Sequence, residues 1–196
     1  MSDSHPEAGA NFDSARRLMV VSQLRPQGVT DPRVLAAMGA VPREDHVPGG
    51  ARASAYGDRS LKFADGAPMR PPAELGLLLT RLAPRPGERA LVVGAGGAYA
   101  TAILRHIGLD MDAADRDPVD LILVEGAIEH LPAEFAQRLA PDGRVGAAIL
   151  EDGVTRLAIG RVVGGSNGPT LVGFTSFAEA QGPVLPGFSS APAFAF

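Results

Sequence analysis

LVVGAGGAYA, residues 91–100, sets a short apolar run directly before a glycine-rich turn and the start of a helix. A strand ending in such a turn lets backbone N–H groups approach a ligand closely, and it opens an alternating strand–helix pattern. Outward from it, 121–125 and 144–150 read as further short apolar strands, with a helix over 132–139 between them. Short apolar strands separated by helices predict an α/β fold with a mainly parallel sheet, helices covering both faces. Residues 155–163 and 170–177 flank the turn-forming GGSNGP and predict a C-terminal β-hairpin at the sheet's edge. On the N-terminal side, Phe12, Ala15, Leu18 and Met19 lie at helical spacing and predict a helix over 12–24. Thr30-Asp31-Pro32 starts a second helix that Gly39 stops, and 73–82 forms a third despite Gly76. The chain thus divides into a disordered tail (1–11), a helical and loop region packed on the core (12–88), and the sheet core with its hairpin and tail (89–196).

Composition narrows the function classes. The chain has 196 residues, 45% hydrophobic and 20% charged, which is too apolar for a disordered protein. The net charge of −4 provides no basic footprint for nucleic acid. With no cysteine, disulfides, iron–sulfur clusters and thiol nucleophiles are excluded. No apolar run approaches a membrane span and the first eleven residues are polar, so a cytoplasmic protein without membrane association is expected. The four histidines (5, 46, 106 and 130) show no ligand spacing, and no metal site is expected.

The glycine turn supports two readings. A dinucleotide-binding loop has glycines at 94 and 96 and a Gly or Ala at 99, where this chain has Tyr99. A methyltransferase-type loop has glycines at 94, 96 and 98, and here 98 is alanine. Asp115 lies about twenty residues beyond the loop, where an acid can bind ribose hydroxyls. A nicotinamide-dependent oxidoreductase rests on these two features alone.

The longest stretches of likeness lie elsewhere. MVVSQLRPQGVTDPRVLAAMGAVPREDHVP (19–48), AYGDRSL (55–61) and LTRLAPRPGERALVVGAGGAYATAIL (79–104) resemble the protein-L-isoaspartate O-methyltransferases. LAPDGRV (139–145) is similar to the turn before the fifth strand of class I methyltransferases, and the ending resembles an α-proteobacterial branch. The resemblance implies a Rossmann-like class I sheet of strand order 3-2-1-4-5-7-6 that binds S-adenosylmethionine. It also implies methyl transfer to the α-carboxylate of isoaspartyl residues in a protein or peptide substrate. Cofactor contacts then fall to Gly94, Gly96, Gly97 and Tyr99, with Asp115 near the ribose.

Departures from the family pattern are local. The Thr-Ile-Ser-type stretch that shapes the family's isoaspartyl site reads Pro68-Met69-Arg70, so Arg70 replaces the hydroxyl residue, and no catalytic residue is assigned beyond it. An acid that helps hold the cofactor is replaced by Val92, and the third loop glycine by Ala98. If Asp115 ends the family's second strand, four residues separate it from Asp120. A parallel crossover needs about ten to twelve residues, so the family's third strand and its adjoining helices are expected to be missing. Residues 108–119 are expected to keep a remnant of the second strand or to loop around its place. Two functions follow: a working methyltransferase, or a non-catalytic homologue that has lost the cofactor and serves as an interaction scaffold, which these departures favour. The shortened sheet also predicts an uncovered edge that a second copy would hide, hence a homo-oligomer.

Overall fold

The computed structural model describes residues 7–112, 117–165 and 168–190. Helix α1 (Glu7–Met19) begins inside the stretch expected as a tail and runs into a π-turn over Val20–Leu24. There the Arg25 N–H donates to Val20 C=O at 3.2 Å. The widened turn buries Leu24 under the helices that follow. α2 (Pro32–Ala40) starts on Asp31, whose carboxylate accepts from the Arg33 N–H at 2.8 Å, and it buries Val34, Leu35, Ala37 and Met38. Hydrogen bonding by the Arg33 side chain holds the Asp31 carboxyl below the usual carboxylate range. Asp31→Ala is expected to cost about 1 kcal/mol in urea denaturation at pH 7. The difference should narrow as pH falls through the depressed carboxyl value, because only the ionised group contributes fully.

A two-residue ladder, β1 (Leu61–Lys62) with β2 (Pro68–Met69), leads into α3 (Pro72–Leu82). Gly76 sits inside this helix for a packing reason: a Cβ there would lie 2.8 Å from Val29 Cγ2. The strands β3 (Ala90–Val93), β4 (Val119–Ile128), β5 (Leu139–Glu151), β6 (Val154–Gly165) and β7 (Gly168–Glu179) form one sheet in that order. β3, β4 and β5 are parallel, and β6 and β7 are antiparallel additions. α4 (Ala98–Ile107) follows the glycine turn, and α5 (Ala133–Ala136) precedes β5. α2, α3 and α4 cover one face through Met38, Leu78, Leu82, Ile103 and Leu104 against Leu121 and Leu123. The other face has a thinner cover: Phe135 of α5 and Leu185 and Phe188 of the C-terminal segment close over Ile122, Val124 and Val145. Phe135 and Phe188 stack at 5.4 Å.

The structure corrects three expectations. The helix over 132–139 shrinks to a single turn, because Val119 N–H takes the Arg138 carbonyl at 2.8 Å and Leu139 already pairs with Val119. β5 therefore starts early, and Pro141-Asp142-Gly143 becomes an irregularity within it, with Asp142 at φ +65°. The last two strands follow chain order, so the 5-7-6 arrangement does not occur. Asp152 (φ +51°) and Gly153 (φ +76°) make a two-residue turn that returns the chain beside β5, pairing Glu151 with Val154.

The shortened middle leaves the expected remnant. Asp110 forms one parallel bridge with Arg89, its N–H donating to Glu88 C=O and its C=O accepting from Ala90 N–H, both at 2.9 Å. The Arg89 carbonyl points the other way, to Asp120 and Leu121, so Asp110 lies on the edge of β3 that faces away from β4. Among the described residues, pairing on that edge ends there. Asp115 lies outside the described residues.

Candidate functional site

Ligands of open α/β sheets sit outside the carboxyl ends of the parallel strands, and here those ends carry the glycine turn and a group of buried charges. Gly94 leaves β3 at φ +110°, and a Cβ on it would lie 2.6 Å from the Glu125 carbonyl. On Gly96 it would lie 2.0 Å from the Pro68 carbonyl, and on Gly97 2.4 Å from Val92 Cγ1. The three glycines let the turn wedge between β2 and β4. Gly94 and Ala95 are exposed at the rim, whereas Gly96 and Gly97 are buried beneath.

Above this turn lies a cavity of about 510 Å3, walled by Val93, Gly94 and Ala95, by Asp65–Pro68 of the β1–β2 turn, and by Pro183–Pro186 with Phe188. Its volume suits a small molecule and its walls are mostly apolar. Of the expected cofactor residues, Gly94 borders it. Tyr99 is turned away: it is 1% exposed, with its ring under the Arg43 guanidinium at 4.8 Å and beside His46 at 5.8 Å. Burial raises its hydroxyl pKa. The departures expected to damage the loop are absorbed by packing. Val92 fills the space under Gly97, and Ala98 opens α4 as an exposed residue.

Arg70 lies next to this cavity but points inward. Its Nη2 donates to the carbonyls of Val124 (2.9 Å) and Gly126 (3.0 Å) at the end of β4. Its Nη1 is 3.5 Å from Glu74 Oε2 and its Nε 3.6 Å from Glu125 Oε2. Glu125 is 2% exposed, and burial pushes its carboxyl up against the opposing pull of Arg70 and Arg43. Glu74 is also raised by burial. Arg43 is fully buried, which lowers its pKa, and it donates to Ala55 C=O (2.8 Å) and Arg70 C=O (2.7 Å). Glu125, Glu74 and Arg43 were not singled out by sequence reasoning. The available signal for Glu125 was an acid closing the apolar run 121–124 at a strand's carboxyl end. Among the described residues, no group of three His, Cys, Asp or Glu side chains could hold a metal, and no helix is long and apolar enough to cross a membrane.

Comparison with known proteins bears on this arrangement. A family model described as Protein-L-isoaspartate(D-aspartate) O-methyltransferase matches residues 15–109. The protein-L-isoaspartate O-methyltransferase of Methylorubrum extorquens (strain PA1) is 34% identical over 164 residues, 67% of this chain and 72% of the relative. The chain belongs to the protein-L-isoaspartate O-methyltransferase family. A second member of that family, from Methylorubrum populi, is 40% identical over 166 residues, 68% of this chain and 78% of its own. Among solved structures, a Plasmodium falciparum protein classed with the protein-L-isoaspartate O-methyltransferases, in complex with S-adenosyl-L-homocysteine, superposes with a TM-score of 0.65. It is 17% identical, and the match covers 89% of this chain and 97% of that one. The α/β sheet is thus the class I methyltransferase fold of the family, shortened at the β3 edge.

Proposed function

We propose that this protein is an S-adenosylmethionine-dependent methyltransferase acting on a carboxylate of a protein or peptide. The carrying observation is the cavity over Gly94 and Ala95 at the carboxyl end of β3, in a chain of this family. Its volume, its apolar walls and the close backbone approach at Gly94 fit a nucleoside bearing an amino acid arm. S-adenosylmethionine, when bound, supplies a methyl group on an electrophilic sulfonium. The chain's own residues contribute position. The turn at Gly94 and Ala95 presents backbone, Asp65 provides a carboxylate at the cavity wall for hydroxyl groups, and the stretch Pro183–Pro186 with Phe188 keeps water from one side. An ionised carboxylate needs no general base, so holding it in line with the methyl group is the principal task.

The non-catalytic scaffold reading has no observation of its own to favour it, since Val92 and Ala98 are accommodated without closing the cavity. Calorimetric titration with S-adenosyl-L-homocysteine is expected to show about one site per chain. Transfer of labelled methyl to an isoaspartyl peptide, but not to its aspartyl counterpart, is the expected second result. Absence of heat and of any thermal shift at about 1 mM ligand would overturn the proposal.

A further inference from the structure

The amino ends of the parallel strands, at the far end of the sheet from the glycine turn, carry positive charge that the fold leaves unanswered. Arg144 of β5 and Arg161 of β6 are direct cross-strand neighbours, and like charges so placed destabilise a sheet. Of the two, Arg144 has a counterion: its Nη2 lies 2.8 Å from Glu88 Oε2 and also donates to the Ala83 carbonyl at 3.0 Å. Among the described residues, neither Arg161 nor Arg81, in the last turn of α3, makes an ion pair. From Val162 to Ala178 the ribbon of β6 and β7 has no charged side chain of either sign. The Arg81 guanidinium is set instead against the Phe177 ring, 5.3 Å from its centroid. That contact steadies the side chain without consuming its N–H donors. Both arginines are walls of a hollow of about 480 Å3, lined also by Ile159, Gly173, Thr175 and Phe177. A Cβ on Gly173 would meet nothing within 4 Å, so the ribbon is bare there. The same two arginines wall a neighbouring hollow whose acids are Glu88, taken by Arg144, Asp120, which accepts from the Arg89 N–H, and Asp142.

We propose that this hollow is a binding site for a small phosphate monoester, held by Arg81 and Arg161 and laid against the ribbon by an apolar or flat body. One unpaired arginine on a surface is ordinary. Two on the wall of one hollow, beside an aromatic ring and with no acid in the ribbon before Glu179, make a concentrated and directional positive site. Guanidinium groups match phosphate oxygens two at a time. A phosphate monoester carries about −1.5 to −2 charge at pH 7 and answers both arginines, whereas a carboxylate, with a single charge, answers one. Ile159 and Phe177 offer apolar surface to the rest of the ligand, and Thr175 adds a hydroxyl. The volume lies in the range of small-molecule sites. Arg144, across from Arg161, pairs with Leu121 near the start of β4, whereas Gly94 follows the last residue of β3. The site is therefore separate from the cavity over the glycine turn, and the inference does not depend on the methyl-transfer reading.

The test is calorimetric titration of the full chain with phenyl phosphate, inorganic phosphate and benzoate, each with and without excess S-adenosyl-L-homocysteine. Phenyl phosphate is expected to occupy about one site per chain and to bind about tenfold more tightly than inorganic phosphate, since its ring leaves water. Arg81→Gln and Arg161→Gln are each expected to weaken it about tenfold or more, the loss of a charge-assisted contact. Both side chains are exposed, so both variants are expected to unfold at the wild-type temperature. Arg17→Gln removes the same charge from the exposed side of α1 and should leave affinity unchanged. Phenyl phosphate binding that survives both hollow-lining changes, or that falls equally with Arg17→Gln, would overturn the site. So would displacement by S-adenosyl-L-homocysteine, which would put the probe in the cavity over Gly94, or no saturable heat at about 10 mM probe. Benzoate binding as tightly as phenyl phosphate would overturn the assignment to a phosphate monoester.

Discussion

Arg70→Met is expected to lower folding stability by about 3–5 kcal/mol, the usual cost of leaving a buried charge without its partner. Glu125 is 2% exposed, and Arg70 is the one cation within 4 Å of it among the described residues. Arg43, the other cation acting on it, is itself committed to the Ala55 and Arg70 carbonyls. Removing Arg70 also strands the carbonyls of Val124 and Gly126. The loss should be smaller at pH 5 than at pH 8. A carboxyl raised by burial takes up its proton more readily as pH falls, and its penalty grows as pH climbs through the raised value. Arg70→Met combined with Glu125→Met should recover a substantial part of the loss, since two apolar side chains replace the pair without an orphaned charge. Urea denaturation of the wild type, the single and the double variant at both pH values reads all three effects. A double variant no more stable than the single one would refute the assignment of Glu125 as the stranded charge.

Gly96→Ala carries the second large effect. The added methyl would lie 2.0 Å from the Pro68 carbonyl oxygen, 3.0 Å from its carbon and 3.3 Å from Met69 Cα. All three are backbone atoms, so no side-chain rotation relieves the clash and β2 must part from the glycine turn. Overpacking of this kind costs about 3 kcal/mol or more. Because Pro68 walls the large cavity, affinity for S-adenosyl-L-homocysteine should fall with stability. Gly49→Ala is the control: nothing lies within 4 Å of its Cβ position, and thermal unfolding should shift little. Equal shifts for the two variants would show that the wedge is not tight.

Much of the architecture is legible in the residues because it follows from local patterns. The glycine turn, the apolar strands, the Asp31 cap and the C-terminal hairpin all arise from neighbouring side chains. What the sequence left out lies in pairings across long separations. Leu139 becomes a strand residue because Val119 is beside it, which no pattern within 132–139 reports. Arg70 and Glu125 are 55 positions apart, and a charge in an apolar stretch does not name its counterion. Tyr99 is a different case. Tyr99, Ala100, Ile103, Leu104 and Ile107 are the buried residues of α4, a helical stripe that the spacing already displays. The stripe marks Tyr99 as a core residue, although its place beside the glycines suggests a ligand contact.

The meander of the sheet has a kinetic consequence. With the family's second strand reduced, among the described residues, to one bridge at Asp110, every neighbour in the sheet is also the next strand in the chain. β5 and β6 are joined by the two-residue turn at Asp152 and Gly153, β7 begins three positions after β6 ends, and the longest closure is the one from β3 to β4. The entropy of closing a loop rises with its length, and folding rates fall as contacting residues grow distant along the chain. A sheet paired only between chain neighbours has little topological search to perform. Its C-terminal meander can zip up pair by pair, leaving the docking of β3 and the glycine turn as the remaining long-range step.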